Sequence, residues 1–312
     1  MLDRLNIRKI GIAIGLCGVL WQARAEVLVI LPDSGPMARA SSSIKLGIQT
    51  AHDRRHSPVV LKYIDITERP LPQLLKMHVR PQTQLIIGPL SRQDVDLMIL
   101  EKPAVRVLAL NEVNQKRDNV WQFSLSKEDD AEQLVQQMHK DGVKKLYIVR
   151  EPGTENSSLS FANAIFKRFK GTVVLEKRMP HLQRQEGGLL LGTPDWVESL
   201  NKPNKHVYVT ATAIENLGQV SKGLKFCDVA VLMQPELLPP KHIDDEPMAL
   251  AFQRLYAFGV DAWLIAEQLL QQSSSPRFEI KGYSGLLTMQ QHRIGRKPNC
   301  YSQSYGKLKP LS

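Results

Sequence analysis

The 312-residue chain lacks the residue patterns that carry most enzyme chemistry. There is no glycine-rich loop ending in Gly-Lys-Ser/Thr, no His-Glu-x-x-His, no Cys-x-x-Cys and no Gly-x-Ser-x-Gly. Gly282-Tyr283-Ser284-Gly285 comes near the last of these but lacks the spaced second glycine. No catalytic residue and no cofactor is therefore assigned. The eight histidines are dispersed; His52 and His56 stand four apart, but Arg54 and Arg55 lie between them and Pro58 follows, which reads as an exposed loop rather than a metal site. No metal is expected. Cations such as Arg54, Arg55, Lys167, Arg168, Lys170, Lys177 and Arg178 are scattered without interleaved aromatic residues, which argues against a nucleic-acid partner.

Long hydrophobic runs are also absent. The most apolar stretch, Ile10 to Leu20, is interrupted by Gly11, Gly15 and Gly18 and falls short of the roughly 20 residues that span a bilayer. Arg4, Arg8 and Lys9 precede it and Ala23-Arg24-Ala25 follows, the arrangement of a secretory signal peptide over residues 1–25 with cleavage after Ala25. The expectation is a periplasmic protein that begins at Glu26 and keeps no stable membrane anchor. Cys17 is preceded by Leu16, where lipid attachment favours a small residue. Of the three cysteines, Cys227 and Cys300 then remain in an oxidising compartment, either as one long-range disulfide or as two buried thiols. The net charge is +10; the leader holds four basic residues and one acidic residue, so the mature chain keeps 10 − 4 + 1 = +7. Such a chain is attracted to anionic envelope components.

What is present is a regular series of apolar strands that end in small polar residues. Val27 to Ala38, Val59 to Asp65, Gln84 to Ser91 and Val105 to Asn111 alternate with helical stretches, which predicts a parallel sheet built from right-handed βαβ units. In this reading Ser41 to Ser43 cap the first helix. Val120 to Leu125 gives a further short strand, and Ser126 caps a helix whose Glu128, Asp129 and Asp130 complement its dipole. A second series follows, with strands at Lys144–Arg150, Thr172–Arg178, His206–Thr212 and Val229–Pro235, and helices at Ser160–Lys170, Thr193–Leu200 and Glu215–Leu224. After the acidic crossing at Asp244–Pro247 comes a long amphipathic helix, then short antiparallel strands with turns near Gly282, Gly285 and Gly295. The fold class is α/β, with two lobes, each a mostly parallel sheet flanked by helices. Lobe 1 is assigned residues 26–125 plus 246–287, and lobe 2 residues 126–245 plus 288–312.

Open α/β sheets bind ligands beyond the carboxyl ends of their strands. That rule selects Ser34, Gly35, Gly88, Ser91, Asn111 and Ser124 as lining a cleft for a ligand or partner. The four hydroxyl and amide side chains suit a carboxylate, but a free amino acid also needs a fixed acid for its ammonium group, and none is assigned.

The segments LPDSGPMA (31–38), LIIGPLS (85–91), VLALN (107–111), FSLSKEDDA (123–131), RLYAFGVDAW (254–263) and FEIKGYSGLL (278–287), in this order, are more specific. With Ile294, Arg296, Gly306 and Pro310 in the closing segment, the chain resembles the LppC family, the carboxy-terminal domain of LpoA-type penicillin-binding protein activators. The resemblance implies a two-lobed periplasmic-binding-protein type I fold and a non-catalytic role as activator of a bifunctional peptidoglycan synthase, with that penicillin-binding protein as partner. The other class that the fold admits is a periplasmic solute-binding protein for an amino acid or similar small ligand.

Overall fold

The computed structural model describes residues 25–200, 205–239, 248–271, 277–304 and 307–311; residues 1–24 of the leader and the Asp244–Pro247 crossing lie outside them. The first series forms β1 (Glu26–Leu31), α1 (Ala38–Arg54), β2 (Val60–Asp65), α2 (Leu71–His78), β3 (Thr83–Ile87), α3 (Arg92–Glu101), β4 (Arg106–Ala109) and β5 (Val120–Phe123). The second forms α4 (Lys127–Lys140), β6 (Lys145–Arg150), α5 (Glu155–Arg168), β7 (Thr172–Glu176), β8 (Glu186–Leu191), α6 (Pro194–Ser199), β9 (Val207–Val209) and β10 (Leu224–Asp228). The chain then runs through α7 (Leu250–Gln271), β11 (Glu279–Lys281), β12 (Leu286–Gln290), β13 (Arg293–Lys297), β14 (Asn299–Ser304) and β15 (Lys307–Pro310).

Two sheets result. One has the order β11-β12-β13-β5-β4-β3-β1-β2 and the other β15-β14-β10-β9-β8-β6-β7. In each, the central strand pairs in parallel with the next strand on one side and the next but one on the other, as β1 does with β2 and β3 and β6 does with β7 and β8. The strand order therefore reverses at β1/β3 and at β6/β8. Val27 through Leu31 are fully buried because their side chains alternate between two cores. Val27, Val29 and Leu31 join the cluster under α1 and α7, while Leu28 and Ile30 join the one under α2 and α3.

Helices α1 and α7 pack through glycine. A Cβ on Gly47 would lie 2.2 Å from the Tyr256 carbonyl oxygen, and one on Gly259 2.1 Å from that of Ile44. The glycine in the FGVDAW segment is thus a contact between helix backbones.

Several expectations are corrected. Helix α1 begins at Ala38, so Ser41 and Ser43 are buried within it rather than capping it. Val229–Pro235 is not a strand; the fourth inner strand is β10, and Ala230–Met233 folds as a 3-10 turn whose Val231 and Leu232 are buried. Within Glu215–Leu224 only Leu217–Gln219 is helical, again as a 3-10 turn. Strand β8, EGGLLL, was not anticipated. Gly295 lies inside β13, and the turn before that strand is at Gln291 and His292. The assignment of all of 288–312 to lobe 2 also fails, because β13 pairs in parallel with β5 and places Ile294 in the core of the first sheet. The chain passes to the second sheet at Pro298, between β13 and β14. There Cys227 and Cys300 stand directly opposite on antiparallel β10 and β14 and are joined by a disulfide.

Candidate interlobe site

Beyond the carboxyl ends of β1 and β3 the chain is held by short-range chemistry. Gly88 has φ +108°, and a Cβ there would lie 2.2 Å from the Ile30 carbonyl oxygen, so β3 can turn away beside β1 only at a glycine. Gly35, at φ +75°, is exposed and meets nothing within 4 Å. Asp65, at the end of β2, gathers the neighbouring loop. Its carboxylate accepts from the Asp33 N–H at 2.9 Å and the Thr67 N–H at 2.9 Å, and the Ser34 hydroxyl donates to Thr67 Oγ1 at 2.9 Å. Burial pushes the Asp65 carboxyl upward, but these donors and the Lys45 cation outweigh it, and its pKa is lowered. Lys45 itself is ion-paired with Asp33.

The remaining residues selected from sequence are engaged inside the protein. Ser91 caps α3, its Oγ accepting from the Asp94 N–H at 3.0 Å. Asn111 Nδ2 donates to the Leu90 carbonyl at 2.9 Å, while its Oδ1 accepts from the Glu112 N–H at 2.9 Å. The Ser124 hydroxyl donates to Glu112 Oε1 at 2.7 Å. The structure places Ser91, Asn111 and Ser124 on adjacent strand ends of the first sheet. It also gives their polar atoms partners within the chain.

Sequence reasoning missed the facing half of the site. The strand ends of the second sheet border a cavity of about 330 Å³ lined by Lys127, Asp130, Thr154, Phe161, Thr193 and Thr210, among others. Glu151 Oε2 accepts from the Thr193 N–H at 2.6 Å, and Thr193 caps α6. The rule that selected Ser91 also applies to KLYIVRE and LLLGT, so these residues were within its reach.

A larger cavity, about 1380 Å³, lies between α1, the 3-10 turns after β10 and the start of α7, with Asp33 beyond the end of β1 on its wall. Its walls include Leu46, Leu238, Met248 and Phe252, with the Arg39 guanidinium 4.9 Å from the Phe252 ring centroid. None of the six residues selected from sequence lines it.

The lobes are bolted together where the chain crosses. Arg293 Nη2 donates to Asp129 Oδ1 at 2.8 Å and its Nε to Glu112 Oε2 at 3.0 Å; the Arg296 N–H donates to Asp129 Oδ2 at 3.1 Å, and its guanidinium pairs with Asp130. The acidic start of α4 therefore does more than complement a helix dipole. Arg254, from α7, grips Asp228 with Nε at 2.9 and 3.0 Å and Nη2 at 2.7 Å, and that Nη2 also donates to the Ala211 and Ile214 carbonyls. Arg54 Nη1 donates to the Leu237 carbonyl at 3.1 Å and to the Tyr283 hydroxyl at 3.0 Å.

Asp261, wholly buried on α7, explains why FGVDAW and GYSG occur together. Its carboxylate accepts from the N–H groups of Tyr283 and Ser284 at 2.6 and 2.8 Å and from the Ser284 hydroxyl at 2.5 Å, holding the Gly282–Gly285 turn. A Cβ at Gly282 would lie 2.6 Å from Asp261 Oδ1. Burial pushes the Asp261 carboxyl up to about 6 despite these donors. Ser284 is thus a structural partner of the carboxylate, with no histidine among its hydrogen-bond partners. Among the described residues no group of three or more His, Cys, Asp or Glu could hold a metal ion, and no helix is long and apolar enough to cross a membrane.

A family model described as "LppC putative lipoprotein" matches residues 16–155 and 200–302. The penicillin-binding protein activator LpoA of Erwinia tasmaniensis is 27% identical over 329 aligned residues, which cover 80% of this chain and 48% of that protein. The same-named protein of Mannheimia succiniciproducens is 24% identical, over 92% of this chain and 55% of that protein. The chain thus spans about half the length of the curated relatives it matches. Among solved structures, the LpoA C-domain of Haemophilus influenzae, a regulator of PBP1A, superposes with a TM-score of 0.73 at 18% identity, over 92% of this chain and 100% of that one. The branched-chain amino acid substrate-binding protein LivJ of Streptococcus pneumoniae, in complex with isoleucine, superposes with a TM-score of 0.54 at 11% identity, over 92% and 99%. At these identities the two structures show the fold alone.

Proposed function

The chain belongs to the LppC family, and from that premise we propose that it is a non-catalytic periplasmic regulator that binds and activates a peptidoglycan synthase of the penicillin-binding-protein class. The observation that carries this reading is the state of the strand ends. Ser91, Asn111 and Ser124 would serve a ligand carboxylate in a solute-binding protein, yet each is hydrogen-bonded to its own chain. The lobes are also joined by charge pairs, the buried Asp228 with Arg254 and the buried Arg296 with the half-buried Asp130, which oppose the opening and closing that captures a solute. A regulator that works by surface contact needs a fixed shape and no emptied cleft. Its export follows from the leader over residues 1–25, cleaved after Ala25 without acylation of Cys17.

The test adds the mature chain to a purified bifunctional synthase and follows glycan polymerisation and peptide cross-linking, beside calorimetric titration with branched-chain amino acids. Stimulation of the synthase with no heat from the amino acids is the expected result. No stimulation, together with micromolar amino-acid binding abolished by Ser91→Ala, supports the solute-binding alternative and overturns the proposal. Mass spectrometry of the exported protein checks for an amino terminus at Glu26.

A further inference from the structure

Among the described residues the second sheet ends at β7 with no strand on its outer side, and positive charges without ion pairs frame that edge. Among the described residues strand β7 pairs with β6 alone. Thr172 donates its N–H to the Lys144 carbonyl on the β6 side at 3.0 Å. Backbone groups alternate in direction along a strand, so Val173 and Leu175 turn theirs to the open side. Their side chains share the face of their β6 partners, Leu146 and Ile148, which pack under α4 and α5. Leu175 remains 55% exposed there, and Leu159 and Phe166, seven residues apart on α5, are 47% and 44% exposed. Lys167, Lys170, Lys177 and Arg178 are exposed on α5 and at the two ends of β7. Among the described residues none of these four forms an ion pair, whereas Lys145 and Arg168 beside them do.

From these observations we infer that the β7 edge is the docking site for an extended, acidic segment of the partner protein, which adds as a further strand to the second sheet. The outward N–H and C=O groups of Val173 and Leu175 supply the ladder. The exposed Leu175 and Phe166 accept apolar side chains on alternate positions, and the four cations select carboxylates. The inference rests on the reading of the chain as a regulator that acts by protein contact, and it adds where the contact is made and what chemistry the partner segment carries.

The test compares binding of a purified bifunctional synthase to the mature chain, to Val173→Pro, and to the double variant Lys177→Glu, Arg178→Glu, across a salt series. Proline at 173 removes an N–H that faces the open side and leaves the pairing with β6 in place, and an unchanged thermal midpoint checks that the fold is kept. A loss of affinity of tenfold or more in each variant, with a shallower salt dependence in the double variant, is the expected result. If the wild-type chain fails to bind the synthase, the proposed function is at fault. If it binds and both variants bind equally well, the function stands and this docking edge is wrong. Variants that only aggregate faster, with binding intact, also overturn the inference, since the cations would then be protecting a strand edge from self-association.

Discussion

The contribution of Asp261 to the stability of this protein should fall as the solution becomes less acidic. Its carboxyl ordinarily titrates near 3.8 and is pushed up to about 6 in the fold by burial. Between those values the folded chain keeps a proton that the unfolded chain has released, so unfolding liberates a proton and rising pH favours it. The stability associated with this proton is complete below 3.8 and is lost as the pH climbs through about 6. At about 1.4 kcal/mol for each tenfold change in proton affinity, the loss amounts to roughly 3 kcal/mol. Asp261→Asn removes the titration while keeping the shape. The amide has one acceptor oxygen for donors from Tyr283 and Ser284, and one N–H is left facing another, at a cost of about 1–3 kcal/mol. The variant should therefore be less stable than wild type at pH 4 and close to it, or more stable, at pH 7. Urea denaturation of both proteins at half-unit steps measures the difference, and taking the difference cancels the other titrating groups. A gap between the two proteins that stays constant from pH 4 to 7 would refute the reasoning.

Two further predictions concern the ties within and between the lobes. Arg254→Met leaves the Asp228 carboxyl without its partner at 2% side-chain exposure and should destabilise the protein by about 3–5 kcal/mol, whereas Arg254→Met with Asp228→Leu should regain most of that loss in chemical denaturation. Replacing Cys227 and Cys300 together by alanine opens a loop of 73 residues in the unfolded chain's constraint and should cost about 4 kcal/mol, read as a lowered urea midpoint that reducing agent reproduces in the wild-type protein.

The first sheet was legible because β1, β3 and β4 are uninterrupted apolar runs covered on both faces, and such runs announce themselves without partners. Strand β8 was not, since its Gly187 and Gly188 are required by Val143, Tyr208 and Met179 packing over them, a demand that arises only in the assembled sheet. The misreading at Val229–Pro235 has the same root: Val231 and Leu232 are buried, but the Val231 N–H is taken by the Tyr283 carbonyl rather than by a neighbouring strand. At the site, the strand-end rule selected Ser91, Asn111 and Ser124, which do lie on adjacent strand ends of the first sheet. It could not show that Asn111 and Ser124 already have partners. Nor could it pair Asp129 with Arg293, 164 residues away in sequence. Local pattern registers burial well; it registers satisfaction of polar groups poorly, because that is decided by contacts distant in sequence.

The passage from β13 through Pro298 to β14 sets the order in which the protein can be completed. Strand β5 is covered on its outer side by β13, and β10 by β14, so a chain emerging amino terminus first carries two unfinished sheet edges until residues 293–304 arrive. Both lobes are then closed by one continuous stretch, within a few residues of each other, and the disulfide at Cys300 follows in the same event. Until that moment both sheets present an unpaired strand edge, which ties the completion of either lobe to the arrival of the other.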